Sequence, residues 1–109
     1  MFKWNQGRQG TGYYKCTVYS FSFLGIGLDC HLLKYPKGSF IPPHTDDIDK
    51  KHHKRLNVLL RHASVGGIFK KCGIEQTGRI HYFRPDIEEH EVTEIKKGER
   101  LVLSFGVAL

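Results

Sequence analysis

Short apolar segments separated by glycine- and proline-containing turns recur along the whole chain, and this pattern limits the fold more than any other feature. The segments are rich in β-branched and aromatic residues, which suit a pleated, half-buried strand. No stretch shows the periodicity of an amphipathic helix of ordinary length. About eight short strands joined by tight turns predict an all-β fold, a double-sheet jelly roll close to its minimal core.

The strand predictions follow from this pattern segment by segment. We expect strands over residues 13–23, 28–35, 39–45, 55–61, 68–71, 79–83, 89–95 and 100–107. Residues 1–12 are glycine-rich with few apolar anchors, so we expect a loop or a loosely held arm there. Pro42 and Pro43 cannot donate backbone hydrogen bonds, which predicts poor pairing or an edge position for the strand that contains them.

The composition indicates one folded domain in a reducing compartment. A chain of 109 residues with 39% hydrophobic residues fits a single domain over residues 1–109, near the lower size that buries a self-sufficient core. The three cysteines form no Cys-x-x-Cys pair, so neither a disulfide framework nor a zinc ribbon is indicated. Without a signal-like N-terminus or a long apolar run, we expect a cytoplasmic protein with no membrane partner.

Two histidines and an aspartate are candidate metal ligands. Side chains two residues apart in a strand project from the same face, so His44 and Asp46 can present an imidazole nitrogen and a carboxylate oxygen to one point. His90 offers a third ligand. Two histidines and one carboxylate leave the remaining positions of an ion open, as in non-haem Fe(II) oxygenases. Beyond them, the guanidinium of Arg100 can bind the far carboxylate of a dicarboxylic cosubstrate through two parallel hydrogen bonds.

In order and spacing, this set of residues resembles the Fe(II)- and 2-oxoglutarate-dependent dioxygenases, particularly their prolyl-hydroxylase-like branch. The resemblance covers residues 28–108, most of the chain. The residues that carry it are Tyr35 and Gly38, His44 and Asp46, Gly66 and Gly67, His90, and the segment 100–105. Together they are far more specific than a lone His-x-Asp motif, which often occurs by chance.

The resemblance implies a fold, an activity and a set of ligands. The fold would be the double-stranded β-helix of this superfamily, and His44, Asp46 and His90 would bind Fe(II). The activity would couple oxidative decarboxylation of 2-oxoglutarate to succinate with hydroxylation of a C–H bond by O2, an amino-acid side chain being the favoured substrate. Arg100 would bind the cosubstrate, and no catalytic residue is assigned beyond the metal ligands.

Tyr35 and Asn57 are weaker candidates for contact with the cosubstrate. The family often places a tyrosine hydroxyl at the position of Tyr35, but a core tyrosine with its hydroxyl at the rim is an equal interpretation. Asn57 lies in an otherwise apolar strand and needs a hydrogen-bond partner if it is buried. Contact with the cosubstrate would satisfy it. A backbone cap, in which the side chain bonds to a main-chain group, is the simpler alternative and is slightly favoured.

Two other functions fit parts of the pattern. An AlkB-like nucleic-acid demethylase is favoured by the net charge of +6 and by the Tyr35-x-x-Gly38 motif. Gly106, where a second arginine might be sought, and the missing N-terminal base-recognition region count against it. A cupin-like jelly roll would bind a metal or small ligand without oxygenase activity. Arg100 separates this class from the oxygenases, because such a protein needs no buried guanidinium facing the metal.

A basic run over residues 50–55 directly follows the candidate ligands. The run has two interpretations. A solvated loop is the commoner one, and the other is a site that captures an anionic substrate such as a nucleic-acid backbone or an acidic polypeptide. The histidines expected to be structural or solvated are His31, His52, His53, His62 and His81. The family usually packs helices against the larger sheet, and this sequence predicts none. Either residues 13–23 or a second subunit would then cover the apolar face of that sheet, so we expect a monomer or a weak homodimer.

Overall fold

The computed structural model describes residues 4–6, 11–46 and 52–109. All regular structure in these ranges is β-strand. The strands are β1 (Trp4–Gln6), β2 (Tyr14–Phe23), β3 (Ile26–Tyr35), β4 (Ile41–His44), β5 (His53–Arg61), β6 (Val65–Gly66), β7 (Phe69–Lys71), β8 (Ile74–Glu75), β9 (Ile80–Phe83), β10 (His90–Val92), β11 (Ile95–Lys97) and β12 (Arg100–Ala108).

The strands form two facing sheets with antiparallel pairing throughout. The large sheet has the order β1-β2-β3-β12-β5-β9, and the smaller one has the order β4-β10-β7-β8. Strands β6 and β11 form a separate two-stranded ribbon. Many neighbours are distant along the chain, as with β12 between β3 and β5. This architecture is a jelly roll, and the predicted all-β fold is confirmed.

Strand β12 shows how alternation along the sequence builds the interior. Arg100, Val102, Ser104 and Gly106 are buried, whereas the residues between them are partly exposed. The register places Ser104 directly opposite the buried Asn57 on β5. The inner face of the large sheet therefore carries polar as well as apolar side chains, and the polar ones define the site described below.

The apolar core lies between the two sheets. Its buried members are Tyr13, Tyr35, Leu59, Phe69, Phe83, Val92, Ile95 and Val102. Each large side chain contributes roughly 1.5–3 kcal/mol when it is fully buried. The core thus joins residues from seven strands and from the segment before β2, which makes the two sheets one cooperative unit.

Some strand predictions need correction. Trp4–Gln6 was expected in a loop but pairs with the start of β2. The strand expected over residues 89–95 is divided into β10 and β11, because at Thr93 the backbone bonds to Ile68 instead of continuing the ladder. Ile74–Glu75 is a short strand where a connection was expected. The proline-containing strand β4 lies at a sheet edge, as predicted.

Strand β2 extends the large sheet sideways and does not cover its outer face. Tyr19, Phe21 and Phe23 stay exposed. On the outer face of the same sheet, Leu56 and Leu60 are also exposed. The prediction that residues 13–23 cover the apolar sheet face is therefore wrong. The weak homodimer stays a prediction. The ranges that the structure describes contain no helix long and apolar enough to cross a bilayer.

Candidate metal centre and adjoining cavities

His44, Asp46 and His90 meet between the two sheets. Strand β4 ends at His44, and Asp46 follows two residues later. Strand β10 begins at His90, which pairs directly with His44. One possible ligand atom from each residue lies within 4.8 Å of those of the other two. Residues far apart along the chain are thus brought to one point by the pairing of β4 with β10.

Backbone carbonyl groups orient both imidazoles. The Nδ1 atom of His44 lies 2.8 Å from the carbonyl oxygen of Pro42, and that of His90 lies 3.0 Å from the carbonyl oxygen of Glu88. A carbonyl can only accept, so each Nδ1 donates and each Nε2 points the other way. The two Nε2 atoms lie 3.3 and 3.5 Å from the carboxylate oxygens of Asp46.

Aromatic rings support His90 from behind. Its ring centroid lies 4.3 Å from that of His44 and 5.0 Å from that of Phe83. Phe83 in turn packs against Phe69, whose ring stacks on His81 at 5.1 Å. Such close packing restricts the rotamer of His90 and keeps its Nε2 directed at Asp46.

The triad opens onto a cavity of about 320 Å³, which we call the metal cavity. Its opposite wall is a polar network centred on Arg55. The guanidinium donates to Ser104 Oγ at 2.7 Å and to Asp29 Oδ1 at 2.8 Å. His31 Nε2 lies 3.3 Å from the same carboxylate oxygen. Strands β5 and β12 contribute one member each and β3 contributes two, so the network depends on the register of these three strands.

Gly106 makes room for this network. It lies opposite Arg55 in the register of β12 with β5. A Cβ atom there would collide with the Arg55 guanidinium and lie 2.7 Å from Asp29 Oδ1. Arg55 was expected only as the end of the basic run and the start of a strand, and Asp29 and Ser104 were expected to have no role in the site. The sequence signal for this network was a glycine and a serine, Gly106 and Ser104, at alternate positions of the strand β12.

The basic run is only partly within the described ranges. Residues 50 and 51 lie outside them, so the loop expected there is not described. All three residues 53–55 belong to β5; Lys54 is exposed, whereas His53 and Arg55 on either side of it line the metal cavity. Alternation along a strand separates these side chains, so the run is not one continuous solvated patch.

Tyr35 and Asn57 both line the metal cavity. Burial raises the pKa of the Tyr35 hydroxyl to about 12, with the Arg100 guanidinium opposing the shift. Asn57 is buried, and its Oδ1 has no hydrogen-bond partner among the described residues. This oxygen remains an acceptor on the wall of the cavity, and the expected backbone cap of Asn57 stays a prediction.

Arg100 is 2% exposed and stacks on Tyr35, with its guanidinium carbon 4.9 Å from the ring centroid. Its Nη1 has no hydrogen-bond partner within the ranges described. Burial lowers the pKa of Arg100, and the adjacent Tyr35 opposes that shift. Its side chain lines a second cavity of about 410 Å³ instead of the metal cavity. We call this second space the rear cavity; its polar lining residues are Arg100, His81, Thr77, Ser64, His62 and Glu75, together with Gln76.

Three partly or fully buried histidines predict that the protein loses stability in mild acid. Burial is the largest cause that lowers the pKa values of His31, His53 and His81, and nearby cations add to it. In the unfolded chain a histidine titrates near about 6.5. The unfolded state therefore binds more protons below that pH, and the free energy of unfolding falls as the pH drops through about 6.5.

Urea denaturation at several pH values between about 7.5 and about 5 checks this. His81→Phe keeps a ring against Phe69 and should reduce the slope of stability against pH. His52→Phe, at an exposed position outside both cavities, serves as the matched control. A free energy of unfolding that stays constant over this range would contradict the prediction.

The fold is that of a cupin- or 2-oxoglutarate-oxygenase-like jelly roll. Similar solved structures include a viral collagen prolyl hydroxylase from Paramecium bursaria Chlorella virus-1 in complex with 2-oxoglutarate, with 18% identity, a TM-score of 0.61, and coverage of 76% of this chain and 59% of that one. A Pseudomonas putida prolyl-4-hydroxylase has 25% identity and a TM-score of 0.60, covering 75% of this chain and 52% of that one.

A cupin-2 domain from Rhodospirillum rubrum is also similar, with a TM-score of 0.65 at 8% identity, covering 97% of this chain and 68% of that one. This chain thus spans 59% and 52% of the lengths of the two hydroxylases. No protein-family model and no curated protein matches the sequence. The comparisons therefore support the fold shared by the two groups.

Proposed function

We propose that the protein is an Fe(II)- and 2-oxoglutarate-dependent dioxygenase that hydroxylates a C–H bond of an amino-acid side chain, free or within a peptide. The observation that carries this proposal is the convergence of the His44 and His90 Nε2 atoms on the Asp46 carboxylate. Two imidazole nitrogens directed at one carboxylate need positive charge between them. A divalent ion satisfies all three groups at once, and this donor set suits Fe(II).

The residues behind the triad fit a cosubstrate with a distal carboxylate. When bound, Fe(II) and 2-oxoglutarate would supply the oxidising chemistry, with succinate and CO2 as products and O2 consumed. Arg100 holds a buried cationic donor without a partner among the described residues, and leaving such a group unsatisfied is costly. It contacts the ring of Tyr35, which lines the metal cavity. Arg100 and Tyr35 would bind and orient the distal carboxylate.

Asn57 supports an amino-acid or peptide substrate. Its unpartnered Oδ1 is an acceptor, so an N–H donor is required to satisfy it. Substrate amines and peptide amides carry such a donor, whereas 2-oxoglutarate does not. The Asn57 amide nitrogen remains able to donate to the cosubstrate. The network around Arg55 would hold the opposite wall rigid and present fixed charges to polar substrate groups.

The free thiols are compatible with a ferrous site in a reducing compartment. Cys16 and Cys30 are buried, Cys72 is exposed, and none forms a disulfide. An exposed thiol persists best where cellular reductants keep it reduced. We therefore propose the cytoplasm as the compartment.

The test is anaerobic addition of Fe(II) and 2-oxoglutarate, followed by a succinate assay in air. We expect a weak visible charge-transfer band and turnover that candidate amino acids or peptides stimulate. Arg100→Leu should weaken cosubstrate binding by at least about tenfold because a charged hydrogen bond is lost, and Arg100→Lys should recover part of it. Arg61→Leu, at an exposed arginine paired with Glu99, is the matched control. A wild-type protein that binds iron but gives neither band nor succinate would contradict the proposal.

A metal-binding jelly roll without oxygenase activity is the second candidate. The cupin-2 domain covers 97% of this chain, and Arg100 lines the rear cavity and not the metal cavity. The same experiment separates the two candidates. A protein of this second kind would bind the metal through the triad, and 2-oxoglutarate would leave the spectrum of the bound metal unchanged.

A further inference from the structure

The outer face of the large sheet, which is the face turned away from the metal cavity, carries an apolar row across all six strands. Alternation along each strand assigns every side chain to one of the two faces. The strand register then places one residue of each strand side by side on the outer face, and these six are Trp4, Cys16, Leu32, Leu103, Val58 and Ile80. None of the six is charged, although charged residues make up 26% of the chain.

A second row beside the first has the same character. Two positions along each strand, the register aligns Tyr19, Cys30, Phe105, Leu56 and Tyr82. The charged residues that the described strands place on this face lie beyond the two rows. Lys34 and Arg61 flank Leu101 at one end, where both approach the carboxylate of Glu99, and Lys54 lies beside Val107 at the other end. The centre of the face is therefore apolar and its ends are charged.

The exposed apolar surface is large enough for a stable interface. Six aromatic side chains of this face are between 41% and 69% exposed, namely Trp4, Tyr14, Tyr19, Phe21, Phe23 and Tyr82. An aromatic side chain buries about 150–250 Å², so these six alone leave roughly 600 Å² open to water. Exposed aliphatic side chains such as Leu56, Leu60 and Ile80 bring the face to about the 800 Å² that each partner contributes to a standard interface. The largest apolar patch of a typical monomer is smaller, about 300–600 Å².

The width and charge of the face favour a second copy of the chain over a helix or a peptide. Six strands about 4.8 Å apart span about 24 Å, whereas a helix is only about 10–12 Å wide. An identical sheet has the same width and twist, and two such sheets pack about 10 Å apart with their strands about 30° from parallel. A two-fold axis sets the uncharged rows against each other. A chain of net charge +6 can therefore associate through this face without bringing like charges together at its centre.

We propose that two copies of the chain form a stable dimer through the outer faces of their large sheets. The area of the face predicts a dissociation constant of about 1 μM or tighter, which is stronger than the weak association expected from the sequence. No residue of the two rows lines the metal cavity or the rear cavity. Dimerisation therefore leaves both cavities unchanged, and the inference is independent of the proposed dioxygenase activity.

Sedimentation velocity of the full chain at protein concentrations from about 1 to about 100 μM tests the proposal. We expect a species with twice the mass of the chain over most of this range. Leu56→Lys places a charge within the second row and should weaken dimerisation by at least about a hundredfold, since both copies then bury an unpaired lysine. Leu56 is exposed in a single copy, so the variant should keep the wild-type circular dichroism spectrum.

Ile80→Lys and Ile74→Lys form a matched pair for the position of the interface. Both isoleucines are 66% exposed and lie in short strands, but Ile80 belongs to the outer face of the large sheet and Ile74 to the small sheet. Ile80→Lys should weaken dimerisation by at least about tenfold, and Ile74→Lys should dimerise like the wild type.

Three outcomes would overturn the proposal. The first is a wild-type chain that sediments as a monomer at about 100 μM. The second is a dimer that Leu56→Lys and Ile80→Lys leave intact, because another surface would then form the contact. The third is a monomer that binds phosphatidylcholine vesicles through this face, which would identify a lipid surface as its partner. None of these measurements needs a metal or succinate formation, so failure here is distinct from failure of the proposed dioxygenase.

Discussion

His90→Leu is expected to lower the affinity for a divalent transition metal by at least about a hundredfold, since it removes one of three protein ligands from the ion. Asp46→Asn should have a comparable effect because it removes the charge that both imidazoles face. Anaerobic titration with Co(II), followed by its visible absorption, measures the affinity directly. The same variants should show no formation of succinate from 2-oxoglutarate.

His53→Leu is the matched control for this prediction. His53 is also a buried histidine that lines the metal cavity, but it is not one of the three converging residues. Its replacement should leave the metal affinity within about threefold of the wild type. Equal losses in His53→Leu and His90→Leu would mean that general disruption of the cavity, and not ligation, explains the effect. Unchanged affinity in His90→Leu would remove the triad as the metal site.

Gly66→Ala is expected to destabilise the fold by more than about 3 kcal/mol. Gly66 has a φ of 82° and pairs with Ile95 in the β6–β11 ribbon. An added Cβ would collide with the carbonyl oxygen of Glu94 and lie 3.1 Å from the backbone nitrogen of Lys96. Both atoms belong to the backbone, so the collision cannot be relieved by a change of rotamer.

Gly73→Ala separates the collision from the cost of the backbone conformation. Gly73 has a φ of 78°, but no atom lies within 4 Å of a Cβ built there. Its replacement should therefore cost only the left-handed strain, about 1–2 kcal/mol. Chemical denaturation of both variants measures the difference. Equal losses would show that the ribbon shifts to accommodate the new methyl group.

Much of the fold could be predicted because strand patterns are local. Alternation and turn residues located most strands, and the two prolines placed β4 at an edge. The Gly66-Gly67 step was expected as a turn and as part of the family resemblance. The structure supplies its reason, because β6 pairs with β11 and the backbone of Glu94 and Lys96 lies against Gly66. The pairing of Trp4–Gln6 was missed, because a three-residue strand has too little pattern to detect.

The candidate ligands could be selected from the sequence because a metal site needs particular residue types, and His44 and Asp46 share one face of a short extended segment. The sequence alone determined which residue types could serve as the candidate metal ligands, and it determined the all-β class of the fold. Only the tertiary structure brought His90 opposite His44, set Arg55 between Asp29 and Ser104, and turned Arg100 to the rear cavity. Each of these depends on register between strands distant in the chain, and local sequence patterns carry little information about such pairing.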